Sequence, residues 1–197
     1  WPAGGMGLVG YGGATAAGFT DLEFVTLAAG GQAVVGDLDG DGRDDLVVVA
    51  PGGTRIAHGL DRADATAFDV RSLAAPVAGT PLVLDADGDG RSDVFTHVPG
   101  GSSTLWYGDS VRGTLPSGKS WVLSATMTPA TGDVDGDGKG DLVWHTPATG
   151  ATTVWFGTTS RTWLPFWPAT GLTAEVGWSP VVIELDGVAA PGGVQRA

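Results

Sequence analysis

Asp37-Leu-Asp-Gly-Asp-Gly-Arg-Asp-Asp45 is the stretch of the chain that decides its fold, because the chain carries it twice more in nearly the same form. The second copy is Asp85-Ala-Asp-Gly-Asp-Gly-Arg-Ser-Asp93, and the third is Asp133-Val-Asp-Gly-Asp-Gly-Lys-Gly-Asp141. Consecutive copies begin 48 residues apart. A fixed period of roughly 20 to 50 residues is typical of repeat architectures in which each repeat is one supersecondary unit.

The acidic residues of each loop are spaced like calcium ligands. Positions 1, 3, 5 and 9 are Asp, and position 7 can add a backbone carbonyl, so that one hard cation is surrounded by oxygen. Position 6 is Gly, which permits the sharp bend that brings these groups together. Asp and Gly are also common in ordinary turns, but four carboxylates within nine residues repel one another strongly without a counter-ion. We therefore predict three Ca²⁺ sites. Their ligands are Asp37, Asp39, Asp41, Arg43 and Asp45 in loop 1, Asp85, Asp87, Asp89, Arg91 and Asp93 in loop 2, and Asp133, Asp135, Asp137, Lys139 and Asp141 in loop 3, with position 7 contributing its carbonyl.

These loops also explain the acidity of the chain. It has 22 Asp and Glu against 10 Lys and Arg, a formal net charge of −12. Twelve of the 22 acidic residues are predicted ligands, and three divalent cations would bring the charge to −6 (−12 plus three times +2). Because a nucleic-acid partner needs a basic surface, we expect none.

The residues after each loop distinguish between classes of calcium module. An EF-hand needs an acidic ligand at position 12 and a helix after the loop, whereas position 12 is Val48, Thr96 or Trp144 here. Short β-branched or aromatic runs follow instead, which favour strands. Tandem nine-residue calcium repeats are excluded by the long period.

Aligned on the loops, each repeat contains four short strands. In the second repeat these are residues 81–84, 94–98, 105–108 and 121–123, with a Pro/Gly turn between the second and third. Four antiparallel strands in a repeat of this length are typical of a β-propeller blade. We therefore predict an all-β propeller with repeats at about 33–80, 81–127 and 128–176.

The ends of the chain resemble parts of a further blade. Gly12 lies 25 residues before Asp37, as Gly108 lies 25 before Asp133, so residues 7–12 match a third strand. Residues 184–187 resemble the opening of a fourth loop, but only seven residues separate Glu184 from Pro191 where complete repeats have 14, so we predict no calcium there. Residues 1–32 and 177–197 would then share one blade and close a four-bladed ring within a single domain, residues 1–197. The alternative is part of a larger or partner-completed propeller.

The loop Asp-x-Asp-Gly-Asp-Gly-x-x-Asp, followed by Leu-Val or a close variant, resembles the FG-GAP or VCBS repeats, the integrin-α-like propeller blades of bacterial secreted proteins and some lectins. The resemblance implies calcium bound between the first two strands of a blade at all three loops. Propellers of that family commonly have seven blades, whereas this chain has room for four.

Composition suggests a secreted protein. The chain has no Cys, so no disulfide can stabilise it, and calcium sites of the extracellular type, with dissociation constants of about 10⁻⁴ to 10⁻³ M, would be empty in cytosol. No apolar run approaches the roughly 20 residues of a membrane span. No signal peptide stands at Trp1, so with calcium sites of this type we expect an exported protein whose signal has been removed, or a mature fragment.

We expect no enzyme activity. His97 and His145 are equivalent residues of successive repeats, which favours a structural role, and neither Gly-x-Ser-x-Gly nor His-Glu-x-x-His occurs. The closely spaced Asp residues are mostly assigned to calcium, which argues against a glycosidase carboxylate pair.

The eight tryptophans suggest a recognition surface. Trp106, Trp144 and Trp155 are predicted to pack between blades. Trp163, Trp167 and Trp178 are less regular, and an exposed indole can stack on a sugar ring, so these three are candidate ligand contacts. The favoured function is a non-enzymatic recognition module for a glycan or extracellular protein. The alternative is a structural or assembly segment that completes a ring as a homo-oligomer or with a partner chain, or that accompanies a catalytic domain.

Overall fold

The computed structural model describes residues 6–12, 19–26, 30–60, 68–73, 77–161, 165–168 and 172–173, with the backbone alone at 6–12, 19–26 and 172. All regular structure in these ranges is β-strand, so the predicted all-β class is confirmed. This part of the chain contains no helix that could cross a membrane. The strands are β1 (Met6–Gly12), β2 (Phe19–Thr26), β3 (Gln32–Gly36), β4 (Asp45–Ala50), β5 (Gly53–Gly59), β6 (Phe68–Ser72), β7 (Thr80–Leu84), β8 (Asp93–His97), β9 (Ser102–Trp106), β10 (Ser117–Val122), β11 (Thr128–Gly132), β12 (Asp141–Thr146), β13 (Ala151–Gly157), β14 (Phe166–Pro168) and β15 (Leu172–Thr173).

The strands form three antiparallel sheets that coincide with the three predicted repeats. The first sheet has the order β3-β4-β5-β6 and the second the order β7-β8-β9-β10. The third sheet has the order β11-β12-β13-β14, and β15 also pairs with β13, at its opposite end. β1 pairs with β2, as expected if residues 7–12 belong to a third strand. Residues 177–197, including the predicted degenerate loop, lie outside the described ranges.

Each acidic loop connects the first two strands of a sheet in the same register. The last residue of the first strand faces the position-9 aspartate, in the pairs Gly36 with Asp45, Leu84 with Asp93, and Gly132 with Asp141. Because the register is identical in all three sheets, the loops occupy equivalent places.

The sheets pack face to face in chain order. Val47 and Val49 of β4 share an apolar cluster with Val94 of β8, while the next residue of β8, Phe95, faces the other way and packs with Trp144 of β12. The second strand of the middle sheet is therefore buried on both faces. Such a strand reads as a continuous apolar run rather than an alternating one.

Aromatic residues dominate the contact between the second and third sheets. Trp144 lies 5.7 Å from Phe95 and 5.5 Å from Trp155 between ring centroids, and Trp121 lies 5.7 Å from Trp155. Trp106 packs against the cluster between the first and second sheets. The prediction that Trp106, Trp144 and Trp155 fill the spaces between sheets is confirmed.

Neighbouring sheets bring their backbones together through their first strands, β3 with β7 and β7 with β11. Sheets that are closest at their first strands are consistent with the blades of a propeller, in which those strands surround the central axis.

Candidate metal centres

The structure brings carboxylate oxygens together in every loop. One oxygen from each of Asp85, Asp87 and Asp93 lies within 4.8 Å of the others, and positions 1, 3 and 9 of loop 3 form the same cluster. Loop 1 has two such groups. One joins oxygens of Asp37, Asp39 and Asp41, and the other joins oxygens of Asp39 and Asp45 with a ring nitrogen of His58. Asp89 and Asp137, the position-5 residues of loops 2 and 3, fall outside these clusters and pair with the position-7 side chains Arg91 and Lys139.

The position-1 aspartate shapes the loop by accepting backbone hydrogen bonds. In loop 1, Asp37 Oδ1 accepts from the amide of Gly40 at 2.8 Å and Oδ2 accepts from the amide of Gly42 at 2.8 Å. Both glycines have positive φ, 77° and 83°, and the equivalent residues of the other loops do too. A side chain is strained in that region, so glycine at positions 4 and 6 is a requirement of the loop.

The position-9 aspartate is buried and joins the loop to the third strand. Asp93 Oδ2 accepts from the amide of Ala86 at 2.9 Å, and Oδ1 accepts from the amide of Gly108 at 2.9 Å. Asp45 and Asp141 make the same two contacts in their own sheets. This residue therefore fixes the fold of the repeat as well as belonging to the oxygen cluster.

Burial raises the pKa of several carboxyl groups in loops 2 and 3. The pKa of Asp93 rises to about 8 through burial, with a smaller contribution from the nearby Asp87 and Asp85. The pKa of Asp141 rises to about 6 for the same reasons, and burial also raises that of Asp85. A bound cation would favour the ionised forms that burial disfavours. An all-oxygen donor set of this kind suits Ca²⁺, so the residues present fit that ion.

Successive loops are hydrogen-bonded to each other across the sheets. The amide of Ser92, at position 8 of loop 2, donates to the carbonyl oxygen of Asp37 at position 1 of loop 1. The amide of Gly140 in loop 3 donates in the same way to Asp85 in loop 2, and both distances are 2.6 Å. The three candidate sites therefore form a connected row.

His58 lies beside loop 1 but is poorly suited to hold a metal. Its Nδ1 is 3.1 Å from Asp45 Oδ2 and 3.7 Å from Asp39 Oδ2, and its Nε2 accepts a hydrogen bond from the amide of Gly113 at 3.0 Å. Since Nε2 is the acceptor, the neutral ring carries its proton on Nδ1 and donates it to Asp45. Sequence reasoning missed this contact. The only signal was its place immediately before Gly59, where the other repeats have Tyr107 and Phe156.

Two arginines, which sequence reasoning also missed, reach the loops from the next sheet. Arg112 donates from Nε to Asp39 Oδ2 at 2.6 Å and from Nη2 to Asp41 Oδ2 at 2.8 Å. Arg161 donates in the same pattern to Asp87 and Asp89. The contacts join residues more than 70 positions apart in the chain.

Of the three candidate ligand contacts, only Trp167 belongs to the described residues. It lies on β14 and is 62% exposed, whereas Trp163 and Trp178 lie outside the described ranges. Their proposed grouping with Trp167 therefore stays a prediction.

Comparison with protein families matches the FG-GAP-like repeat twice, at residues 37–96 and at residues 85–144. Each match begins at one acidic loop and ends just beyond the next, and together they span 37–144, more than half of the 197 residues. The chain belongs to the FG-GAP-like repeat family, as its loops predicted. A comparison with curated proteins gave no match.

Proposed function

We propose that the chain is a calcium-binding β-propeller module that acts without catalysis, with one Ca²⁺ in each acidic loop. The observation that carries the proposal is that carboxylate oxygens cluster in all three equivalent loops, each of which has a buried position-9 aspartate. Bound calcium would supply the positive charge that lets these carboxylates stay ionised in close contact.

Calorimetric titration combined with elemental analysis tests the calcium sites. The full chain is expected to bind three Ca²⁺, and each of Asp37→Ala, Asp85→Ala and Asp133→Ala should remove one. The matched control is Asp44→Ser, because Asp44 is the position-8 residue of loop 1 and loop 2 has Ser92 there. Unchanged stoichiometry in all three alanine variants, together with no drop in melting temperature in EGTA, would refute the assignment.

The proposal extends to a four-bladed ring closed by the chain itself. Val48 and Ala57 on the outer face of the first sheet are 2% and 0% exposed, and His145 on the outer face of the third sheet is 1% exposed, in a single chain. Burial of these three residues, which lie on the two outer faces, supports closure without a partner. Light scattering should then give the mass of one chain.

A recognition role is the favoured use of such a scaffold, and the exposure of Trp167 supports it. A flat apolar ring with a free N–H suits stacking on a sugar, although a protein ligand would also fit an exposed indole. A glycan array with wild type and Trp167→Ala tests the first case. Sites of the weak, extracellular calcium type would fill where calcium is millimolar, so we place this role outside the cell.

The second candidate function is an assembly segment, and one observation favours it. His97 Nε2 contacts the backbone oxygen of Met127 in the next sheet, whereas the equivalent Nε2 of His145 is buried without a hydrogen-bond partner among the described residues. A sheet contributed by another chain would supply the missing acceptor. A defined oligomer that binds no glycan would support this candidate over a recognition module.

A further inference from the structure

Arg112 and Arg161 occupy equivalent places in successive repeats. Arg112 lies four residues after Gly108, which follows the third strand of the second sheet. Arg161 lies four residues after Gly157, which ends the third strand of the third sheet. Both arginines lie in the connection to the fourth strand. From there each guanidinium reaches back to the loop of the preceding sheet and spans its position-3 and position-5 carboxylates. The same device is therefore used twice.

A side chain of the preceding sheet holds each arginine connection in place. It is Tyr107, immediately before Gly108, for Arg161, and His58, immediately before Gly59, for Arg112. Tyr107 lies under Arg161, with 4.9 Å from the guanidinium carbon to the ring centroid, and its hydroxyl donates to the carbonyl oxygen of Arg161 at 3.2 Å. In the first sheet His58 accepts from the amide of Gly113, the neighbour of Arg112. A hydrogen-bonding side chain thus anchors the connection that carries the arginine.

Loop 3 differs from the other two loops. Phe156, which has no hydrogen-bonding group on its side chain, replaces His58 and Tyr107. Among the described residues, Asp137 of loop 3 pairs with one cation, Lys139 of the same loop. Loops 1 and 2 each have a position-7 cation and, in addition, an arginine from the next sheet. Counting only the four predicted ligand carboxylates of each loop, loop 3 has one fewer compensating cation among the described residues than loops 1 and 2.

We propose that Arg112 and Arg161 are built-in counter-ions that hold loops 1 and 2 closed in the metal-free protein and weaken calcium binding there, so that loop 3 is the tightest of the three sites. The inference rests on the proposed calcium function. A cation in loop 1 would take Asp39 and Asp41 as ligands, but the Oδ2 atoms of both already accept hydrogen bonds from Arg112. The cation and the guanidinium also repel each other at this range.

Calcium titration of the full chain tests the competition. Wild type should show one tighter and two weaker sites, and Arg112→Gln or Arg161→Gln should each strengthen one weak site by up to about fivefold, since a charge pair in this partly exposed setting is worth roughly that factor. Arg112→Lys should bind calcium like wild type, because it keeps the positive charge. A lysine has no fork of two donors, so this variant should lose the simultaneous contact to Asp39 and Asp41. Lys119→Gln is the control, since it removes one positive charge from an exposed residue of β10.

Melting in EGTA provides the second measurement. Arg112→Gln and Arg112→Lys should melt below Lys119→Gln without metal, and the difference should disappear for Arg112→Gln in saturating calcium. Three sites of equal affinity that Arg112→Gln leaves unchanged would overturn the inference while leaving calcium binding intact. Absence of any calcium uptake by wild type would overturn both the inference and the proposed function.

Discussion

Gly108 lies so close to Leu38 that a Cβ atom on the glycine would be 2.7 Å from the leucine carbonyl oxygen. The contact joins the end of a third strand in the second sheet to the loop of the first sheet, and the carbonyl of Ser92 would be just as close, at 2.6 Å. Gly157 repeats the arrangement with the carbonyls of Ala86 and Gly140. Adjacent sheets therefore meet, backbone to backbone, at a place where only glycine fits.

Gly108→Ala should destabilise the fold by about 1 to 3 kcal/mol, the usual cost of forcing extra atoms into a packed site. Both obstructing atoms are backbone carbonyls, which cannot move aside as a flexible side chain can. The comparison variant is Gly52→Ala, because a Cβ there meets nothing within 4 Å. Urea unfolding in EGTA measures both, and equal stability of the two variants would contradict the packing argument.

The position-9 aspartate should matter for stability even without calcium. Asp141→Ala would leave the partly exposed amide of Val134 and the buried amide of Gly157 without their acceptor, and the buried amide alone should cost about 1 to 3 kcal/mol. Asp137→Ala in the same loop removes a partly exposed side chain and should change metal-free stability little. Both variants should lose calcium from loop 3. Urea unfolding in EGTA separates them, and equal losses of stability would show that position 9 has no structural role beyond the metal.

His97 should make the protein less stable in mild acid. Burial lowers the pKa of His97 below its usual 6.5, partly offset by the hydrogen bond from Nε2 to the carbonyl of Met127. The unfolded chain therefore takes up a proton as the pH falls through 6.5 while the folded chain does not, so stability is complete above that pH and is lost below it. Melting temperatures at pH 7.5 and 5.5 should differ less in His97→Gln than in wild type. An identical pH dependence in the two proteins would refute this role of His97.

The sequence predicted the four-stranded unit well because the acidic loop fixes its register. Asp at position 9 must lie opposite the end of the first strand to accept from the loop and from the third strand together, so strand pairing follows from the motif. Family membership rests on the same residues.

What the sequence did not reveal depends on contacts between sheets. The partner of Arg112, Asp39, is 73 residues away in the chain, so only the packing of two sheets brings them together. The fourth strand of the third sheet divides into β14 and β15, and β14 ends at Pro168, which has no amide hydrogen to donate to a ladder. Position 5 was predicted as a ligand in every loop. Asp41 lies in an oxygen cluster of loop 1, whereas Asp89 and Asp137 lie outside the clusters of loops 2 and 3, although position 5 pairs with position 7 in all three loops.

Trp144 offers a test of whether its ring or its N–H matters to the core. The ring is fully buried against Phe95, His97 and Trp155, whereas Nε1 has no hydrogen-bond partner among the described residues. Trp144→Phe keeps an aromatic ring but fills less volume, which destabilises the core. Removal of the unsatisfied N–H partly offsets this effect, so the free energy of unfolding should fall by no more than about 1.5 kcal/mol. Trp144→Ala should cost about 3 to 5 kcal/mol, because it empties the contact between two sheets. Trp167→Ala, at the exposed tryptophan of β14, should change stability by less than about 0.5 kcal/mol. Chemical unfolding of the three variants gives the order, and a phenylalanine variant as unstable as the alanine variant would mean that the indole N–H has a partner after all.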